Sequence, residues 1–178
     1  MKIAICGSSR AVDGEISKKA FEIGKEFAGK NVLILTGAGT GYPYEAAKGA
    51  FSAEGNVFGV SPAGDEEEHV SRYSFPTESF TKIEYTNLGI PGRNFPLVAE
   101  ADAIIIIAGQ IGSLNEFTFA FHDCKVIGIL ENSGGITDIL QEIAEICDKR
   151  GESKNIVYSS EPKELVQLVI DKLKNSRK

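Results

Sequence analysis

Residues 103–107 read Ala-Ile-Ile-Ile-Ile, and no other segment narrows the choice of fold so far. Four isoleucines in succession describe a strand buried on both faces, as strands inside a parallel sheet are. The apolar run ends at Gly109 and Gly112, and Ser113 then opens a helical stretch with Glu116 in its first turn. Strand, glycine turn and helix in that order aim free backbone N–H groups past the strand's carboxyl end, which makes a phosphate site. The turn points to an anionic ligand of nucleotide type and leaves open what happens to it.

The rest of the chain repeats that alternation. Short apolar runs at Ile3–Cys6, Val32–Thr36, Val57–Ser61, Ile83–Thr86, Val126–Leu130 and Ile156–Ser159 read as further strands. Between them lie helical patterns. Ile16, Ala20, Ile23 and Phe27 recur at helical spacing, with Gly29 at the stop, and Pro43 suits the first turn of a helix carrying Ala46, Ala47 and Ala50. Pro91–Ala101 is expected to be helical. A later helix is expected to pack through Ile136, Ile139, Leu140, Ile143 and Ile146, and the last through Leu165, Leu168, Val169 and Leu173. Such a pattern predicts an α/β fold, a Rossmann-like doubly wound parallel sheet of six or seven strands with helices on both faces. With no repeat or linker in view, residues 1–178 are read as one domain.

Charge and cysteine content exclude several classes. A net charge of −6 argues against a large basic surface, so nucleic acid is an unpromising partner. The basic tail Lys172, Lys174, Arg177 and Lys178 reads as a solvated terminus. Cys6, Cys124 and Cys147 lack paired spacing, which speaks against a disulfide framework or a structural zinc site. The amino terminus runs straight into a strand and no apolar stretch reaches membrane-spanning length, so a cytoplasmic location with no membrane partner is expected.

Pro62–Lys82 departs from the regular alternation. It is long, polar and strandless, leaves the carboxyl end of a strand, and contains Asp65-Glu66-Glu67-Glu68-His69. Four adjacent side chains do not converge on one ion, so a solvated loop or acidic helix start is the better reading, with a lid over a ligand as the functional one.

Three glycine turns fall at strand carboxyl ends: Gly7-Ser8-Ser9-Arg10, Gly37 to Gly41, and Gly109 to Ser113. Open parallel sheets bind ligands there. The usual fingerprints fail, because Gly37, Gly39 and Gly41 give G-x-G-x-G and no G-x-x-x-x-G-K-[ST] occurs. Cys6 reads as a small core residue and His122 as a packed or rim histidine.

In sequence order the chain carries Ile5-Cys6-Gly7-Ser8-Ser9, then Thr36-Gly37-Ala38-Gly39-Thr40-Gly41, then Arg93-Asn94, then Ala108-Gly109-Gln110-Ile111-Gly112-Ser113-Leu114-Asn115-Glu116. Together these resemble the Lonely-Guy-type phosphoribohydrolases, long mislabelled lysine decarboxylases, and their wider Rossmann-like superfamily. That superfamily includes molybdenum-cofactor carrier proteins, whose size and layout this chain resembles closely. In the hydrolases an arginine and a P-G-G-x-G-T-x-x-E motif are taken to cut the N-glycosidic bond of a nucleoside 5′-monophosphate, and Arg93 and Glu116 fall on those positions. The resemblance also implies a homodimer or higher homo-oligomer, assembled through the helix that carries Phe117, Phe119 and Phe121, with Phe95 nearby.

The chain departs from the hydrolase motif at Ala108 for proline, Gln110 for glycine, Ser113 for threonine and Asn94 for lysine. Glu116 has two readings: a catalytic carboxylate, or the acidic member of a capping box, Ser113-x-x-Glu116. Arg93 is read as a bidentate clamp on a ligand oxygen. The expected ligand set is Gly7, Ser8, Ser9, Gly37, Gly39, Thr40, Gly41, Arg93, Asn94, Gly109, Gln110, Gly112 and Ser113, with no metal. The expected function is a carrier or sensor of a phosphorylated ligand, an AMP-like nucleotide or a pterin such as molybdenum cofactor. The alternative is a phosphoribohydrolase using Arg93 and Glu116.

Overall fold

The computed structural model describes residues 1–176, so Arg177 and Lys178 of the basic tail lie outside the described residues. The chain begins in strand β1 (Lys2–Gly7) and helix α1 (Gly14–Ala28), then β2 (Leu33–Thr36), α2 (Tyr42–Ser52), β3 (Val57–Ser61), α3 (Glu66–Ser71) and β4 (Lys82–Tyr85). Two short helices follow, α4 (Gly89–Gly92) and α5 (Asn94–Glu100). The second half runs β5 (Ala103–Ile107), α6 (Ile111–His122), β6 (Val126–Leu130), α7 (Leu140–Cys147), β7 (Ile156–Ser159) and α8 (Pro162–Ser176).

All seven strands are parallel, in the order β4-β3-β2-β1-β5-β6-β7. The chain therefore builds outward from β1 to one edge, returns to the middle, and builds outward from β5 to the other. β1 and β5 are the pair at which the direction of building reverses, and their last paired residues are Gly7 and Ile107. Every residue of β5 is buried, as the unbroken apolar run demands. Alternate side chains supply two cores. Ile3, Ile5, Ile105 and Ile107 pack under α1, α2 and α8, while Ala4, Cys6, Ile104 and Ile106 pack under α5, α6 and α7.

Local chemistry fixes the helix that follows β1. Asp13 caps α1, its carboxylate accepting from the N–H groups of Glu15 and Ile16, and Ile16, Ala20, Ile23 and Phe27 form its buried face. α1 and α2 cross at backbone distance because Gly24 and Gly49 carry no side chain. A Cβ at either would lie 1.9 Å from a carbonyl oxygen of the other helix.

Three expectations need correction. Pro91–Ala101 is not one helix but two pieces, α4 and α5, broken at Arg93. Residues 136–146 divide into a 3-10 turn (Gly135–Asp138) and α7, which rotates Ile139 and Ile146 outward to 48% and 76% exposure and leaves Leu140 and Ala144 as the buried contacts. On α8, Leu168 is at the surface, and Val166 and Ile170 join Leu165, Val169 and Leu173 inside. Within Pro62–Lys82 the acidic run is the start of a helix, α3, capped by Asp65, which is one of the two forms expected of it, and His69 is fully buried. Among the described residues no helix is long and apolar enough to cross a membrane.

Candidate functional site

The reversal between β1 and β5 opens a cleft at the carboxyl edge of the sheet. It has two lobes. The larger, about 370 Å³, is lined by Gly7–Arg10 on one side and by Gln110–Ser113 of the α6 entry on the other. The smaller, about 210 Å³, lies over the second glycine turn and is lined by Gly37, Gly39, Thr40, Pro43 and Phe75. Gly7, Ser9, Ile90, Arg93 and Glu116 border both.

Gly7 makes the approach of the two central strands possible. Its φ is +157°, and a Cβ there would lie 2.2 Å from the carbonyl oxygen of Ile107. The loop after it is tied to its surroundings. The Ser8 N–H donates to Ile107 O, the Ser8 hydroxyl donates to Arg10 O and accepts from Arg10 N–H, and the Thr40 hydroxyl donates to Ser9 O at 2.8 Å. Ser8 thus spends both its amide and its hydroxyl within the fold. Gly41 and Gly109 stand behind the lining: a Cβ on Gly41 would meet Ser8 O at 2.0 Å, and one on Gly109 would meet Ser113 Oγ at 2.2 Å.

The third turn is built differently. Ala108 has φ +52° and donates its N–H to Ser133 Oγ at 2.8 Å. Gln110 is the N-cap of α6, with no side-chain cap and no acidic residue in the first turn. The first bond of the regular ladder runs from Leu114 N–H to Gln110 O, so the amides of the preceding turn are left facing the cleft. α1, by contrast, is closed by its own Asp13 carboxylate. Of the two helices, α6 alone offers an open positive end. The capping box is overturned here: α6 begins at Ile111, two residues before Ser113, and Glu116 turns inward instead of back to the cap.

Glu116 and Arg93 meet at the junction of the lobes. Arg93 Nη1 donates to Glu116 Oε1 at 3.0 Å, with side-chain exposures of 13% and 7%. The guanidinium lies against Gly37, where a Cβ would come within 2.1 Å of Nη2, and Arg93 Nε is buried without a partner. Burial raises the Glu116 carboxyl above the ordinary carboxylate value, against the opposing pull of Arg93 and of hydrogen bonds from Cys6 and Arg93. The Cys6 thiol beneath is pushed well up by burial and then by the Glu116 charge. Such a thiol stays protonated, and the reading of Cys6 as a core residue agrees with its burial. Asn94 is buried and donates to Asn115 Oδ1 at 2.9 Å, which pins α5 to α6.

The structure thus gathers Gly7, Ser8, Ser9, Gly37, Gly39, Thr40, Arg93, Asn94, Gln110, Gly112, Ser113 and Glu116 around one cleft. Sequence reasoning missed Arg10, Phe75, Ile90 and Ile111. Arg10 had a signal in its place beside Ser8-Ser9. Phe75 had one in the reading of Pro62–Lys82 as a lid, and Ile90 in its place three residues before Arg93.

The sequence was compared with proteins already known. A protein from Archaeoglobus fulgidus is 27% identical over 132 residues, 74% of this chain and 80% of that one. Two solved structures share the fold. One is a molybdenum cofactor binding protein from the phototrophic bacterium Rippkaea orientalis, at TM-score 0.78 and 21% identity, covering 96% of this chain and 95% of the other. The other is the molybdenum cofactor carrier protein of Chlamydomonas reinhardtii, at TM-score 0.79 and 19% identity, covering 97% and 98%. The model of one family matches residues 1–166, nearly the whole chain, and the protein belongs to that family, the SLOG cluster4 family.

Proposed function

We propose that this protein binds and carries a phosphorylated heterocyclic ligand, a pterin-type cofactor such as molybdenum cofactor, without turning it over. The observation that carries this reading is the uncapped amino terminus of α6, opening into the cleft between β1 and β5. A phosphate there receives hydrogen bonds from the amides of residues 111–113 and the favourable end of the helix dipole, with cationic Arg10 at the rim. The likeness in fold to molybdenum cofactor carrier and binding proteins supports the choice of a pterin.

The cleft's chemistry suits such a cargo. The larger lobe supplies amides, hydroxyls and the exposed Gln110 amide, and the smaller supplies an apolar wall. A phosphoribohydrolase would use Arg93 and Glu116, and both line the cleft. Here they are bound to one another, however, and hydrolysis gains only from groups that favour the transition state over the bound ligand. A carboxylate buried under an arginine is a poor partner for a ribosyl cation unless the pair first separates.

The deciding experiment has two parts. Ligands released by heat from freshly purified protein are identified by mass spectrometry, and AMP, GMP, IMP and CMP are incubated with the protein and chromatographed. A phosphorylated pterin in the extract and no free base is the expected result. Brisk base release that disappears in Glu116→Gln would replace this reading with the hydrolase.

A further inference from the structure

We propose that the smaller lobe is the ring subsite of this cleft, with Phe75 as the residue that selects aromatic heterocycles. This rests on the phosphate-binding reading above and gives the ligand a direction: phosphate at α6, ring over the second glycine turn.

Three observations lead to it. First, the lobe has two unlike walls. The backbone of Gly37 and Gly39 forms one, with the Arg93 guanidinium lying against Gly37, and Phe75 forms the other. The two meet at Gly39, where a Cβ would reach within 3.2 Å of Phe75 Cζ, so a ring has its place beside this contact and not between the two residues. Ile90, 47% exposed, borders the lobe as well, so its lining is largely apolar. A flat ring placed in the lobe's volume of about 210 Å³ can lie beside the Phe75 ring, where offset or edge-to-face contact is favourable.

Second, Phe75 is held in place from behind. Its N–H donates to His69 O at 3.2 Å, its ring stacks on Tyr73 at 5.5 Å, and the His69 ring meets it edge-on at 5.6 Å. His69 is itself fixed. Pro76 O can only accept, so Nε2 at 3.0 Å carries the proton, and Nδ1 accepts from the Ser61 hydroxyl at 2.8 Å. This buried Ser61–His69–Pro76 chain ties the turn bearing Phe75 to the end of β3. His69 is a positioning residue, and the ring it positions is preorganised before any ligand arrives.

Third, the two lobes meet at Gly7, Ser9 and the Arg93–Glu116 pair, so one elongated ligand can occupy both. Polar donors gather at one end and the aromatic wall at the other.

The test measures binding of AMP, GMP, a 6-substituted pterin phosphate and ribose 5-phosphate by calorimetry. The proteins are the parent, Phe75→Ala, Phe75→Tyr and Gly39→Ala, each checked for an intact thermal transition. Phe75→Ala removes the aromatic wall, and Gly39→Ala keeps the ring but presses its methyl on Cζ and so displaces it. The ring-bearing ligands should bind the parent more tightly than ribose 5-phosphate. Both alanine variants should weaken them by roughly 5- to 100-fold, as lost base stacking does, while ribose 5-phosphate stays within about twofold. Phe75→Tyr should keep the parent's ring preference. If the parent prefers no ring-bearing ligand, or if Phe75→Ala lowers all ligands alike, the ring subsite is overturned while phosphate binding stands. If ribose 5-phosphate and the ring-bearing ligands all fail to bind the parent, the phosphate reading falls, and this inference with it.

Discussion

Gly37→Ala is the most informative single change in this protein, because it moves Arg93 without altering any charged residue. The added methyl would lie 2.1 Å from Arg93 Nη2, 2.2 Å from Cζ and 2.4 Å from Nη1. Those distances are far inside normal contact of about 4 Å. Gly37 is not among the positive-φ glycines, so the backbone accepts alanine, and the flexible guanidinium is what yields. It can yield only by leaving Glu116, whose side chain is 7% exposed. Stranding one partner of a buried ion pair costs about 3–5 kcal/mol. Arg93 keeps a little contact with water, and alanine restricts the unfolded chain, so a net loss of about 2–4 kcal/mol is expected. In a protein of this size each kcal/mol lowers Tm by about 2–4 °C, giving a fall of roughly 4–16 °C. Thermal and urea denaturation near neutral pH measure it. The decisive control is the same substitution in Glu116→Gln, where no carboxylate is left to strand. There Gly37→Ala should cost at least about 1 kcal/mol less. An equal loss in both backgrounds would refute the argument, since the methyl would then be acting on packing alone.

The remaining predictions concern charge, the helix end and assembly. Burial raises the Glu116 carboxyl above 4.5, so the native state holds that proton more readily than the unfolded chain does. Its stabilising contribution is therefore complete below pH 4.5 and is lost as pH rises through the native value. Relative to Glu116→Gln, the parent's urea midpoint should decline from pH 4.5 towards neutrality; parallel curves would contradict the buried-carboxylate argument. A Cβ on Gly112 meets open space in the first turn of α6, so Gly112→Ala should raise stability by about 0.5–1 kcal/mol. It should also reduce the Tm increase that phosphate gives the parent, and an undiminished increase would place the anion elsewhere. Phe117 and Phe121 are buried in the protomer, but Phe95 is 57% exposed and packs edge-on against Phe119. Light scattering at micromolar concentration should give a mass above 19.1 kDa, lowered by Phe95→Lys; a parent monomer would sink self-association through this face.

Much of the fold was legible because each signal was local. Ile104–Ile107 have no polar interruption, and each glycine turn directly follows its strand, so the sheet and its carboxyl edge could be read directly. The cleft was legible only as far as those turns reach. Phe75 and Ile90 line it as well, one from Pro62–Lys82, legible as a lid but not residue by residue, the other from the turn before Arg93, and tertiary packing decides which side chains reach the cleft. Glu116 shows the opposite failure. A serine followed three residues later by glutamate fits a capping box, but the helix starts at Ile111, and the shift aims the carboxylate at Arg93. Ile139 and Ile146 fail for a related reason: the 3-10 turn before α7 resets the helical phase.

The backbone at Ala108 also bears on descent. Proline holds φ near −65° and has no N–H, whereas residue 108 sits at φ +52° and donates to Ser133. A proline at 108 would force the turn open and remove the N–H that Ser133 accepts, leaving that hydroxyl to Leu130 O and Thr137 Oγ1, at about 3 kcal/mol or more. Passage between the two kinds of turn cannot begin at this residue. The path of residues 108–110 and the contact with Ser133 must change first, and until they do a proline costs the fold stability whatever chemistry it brings.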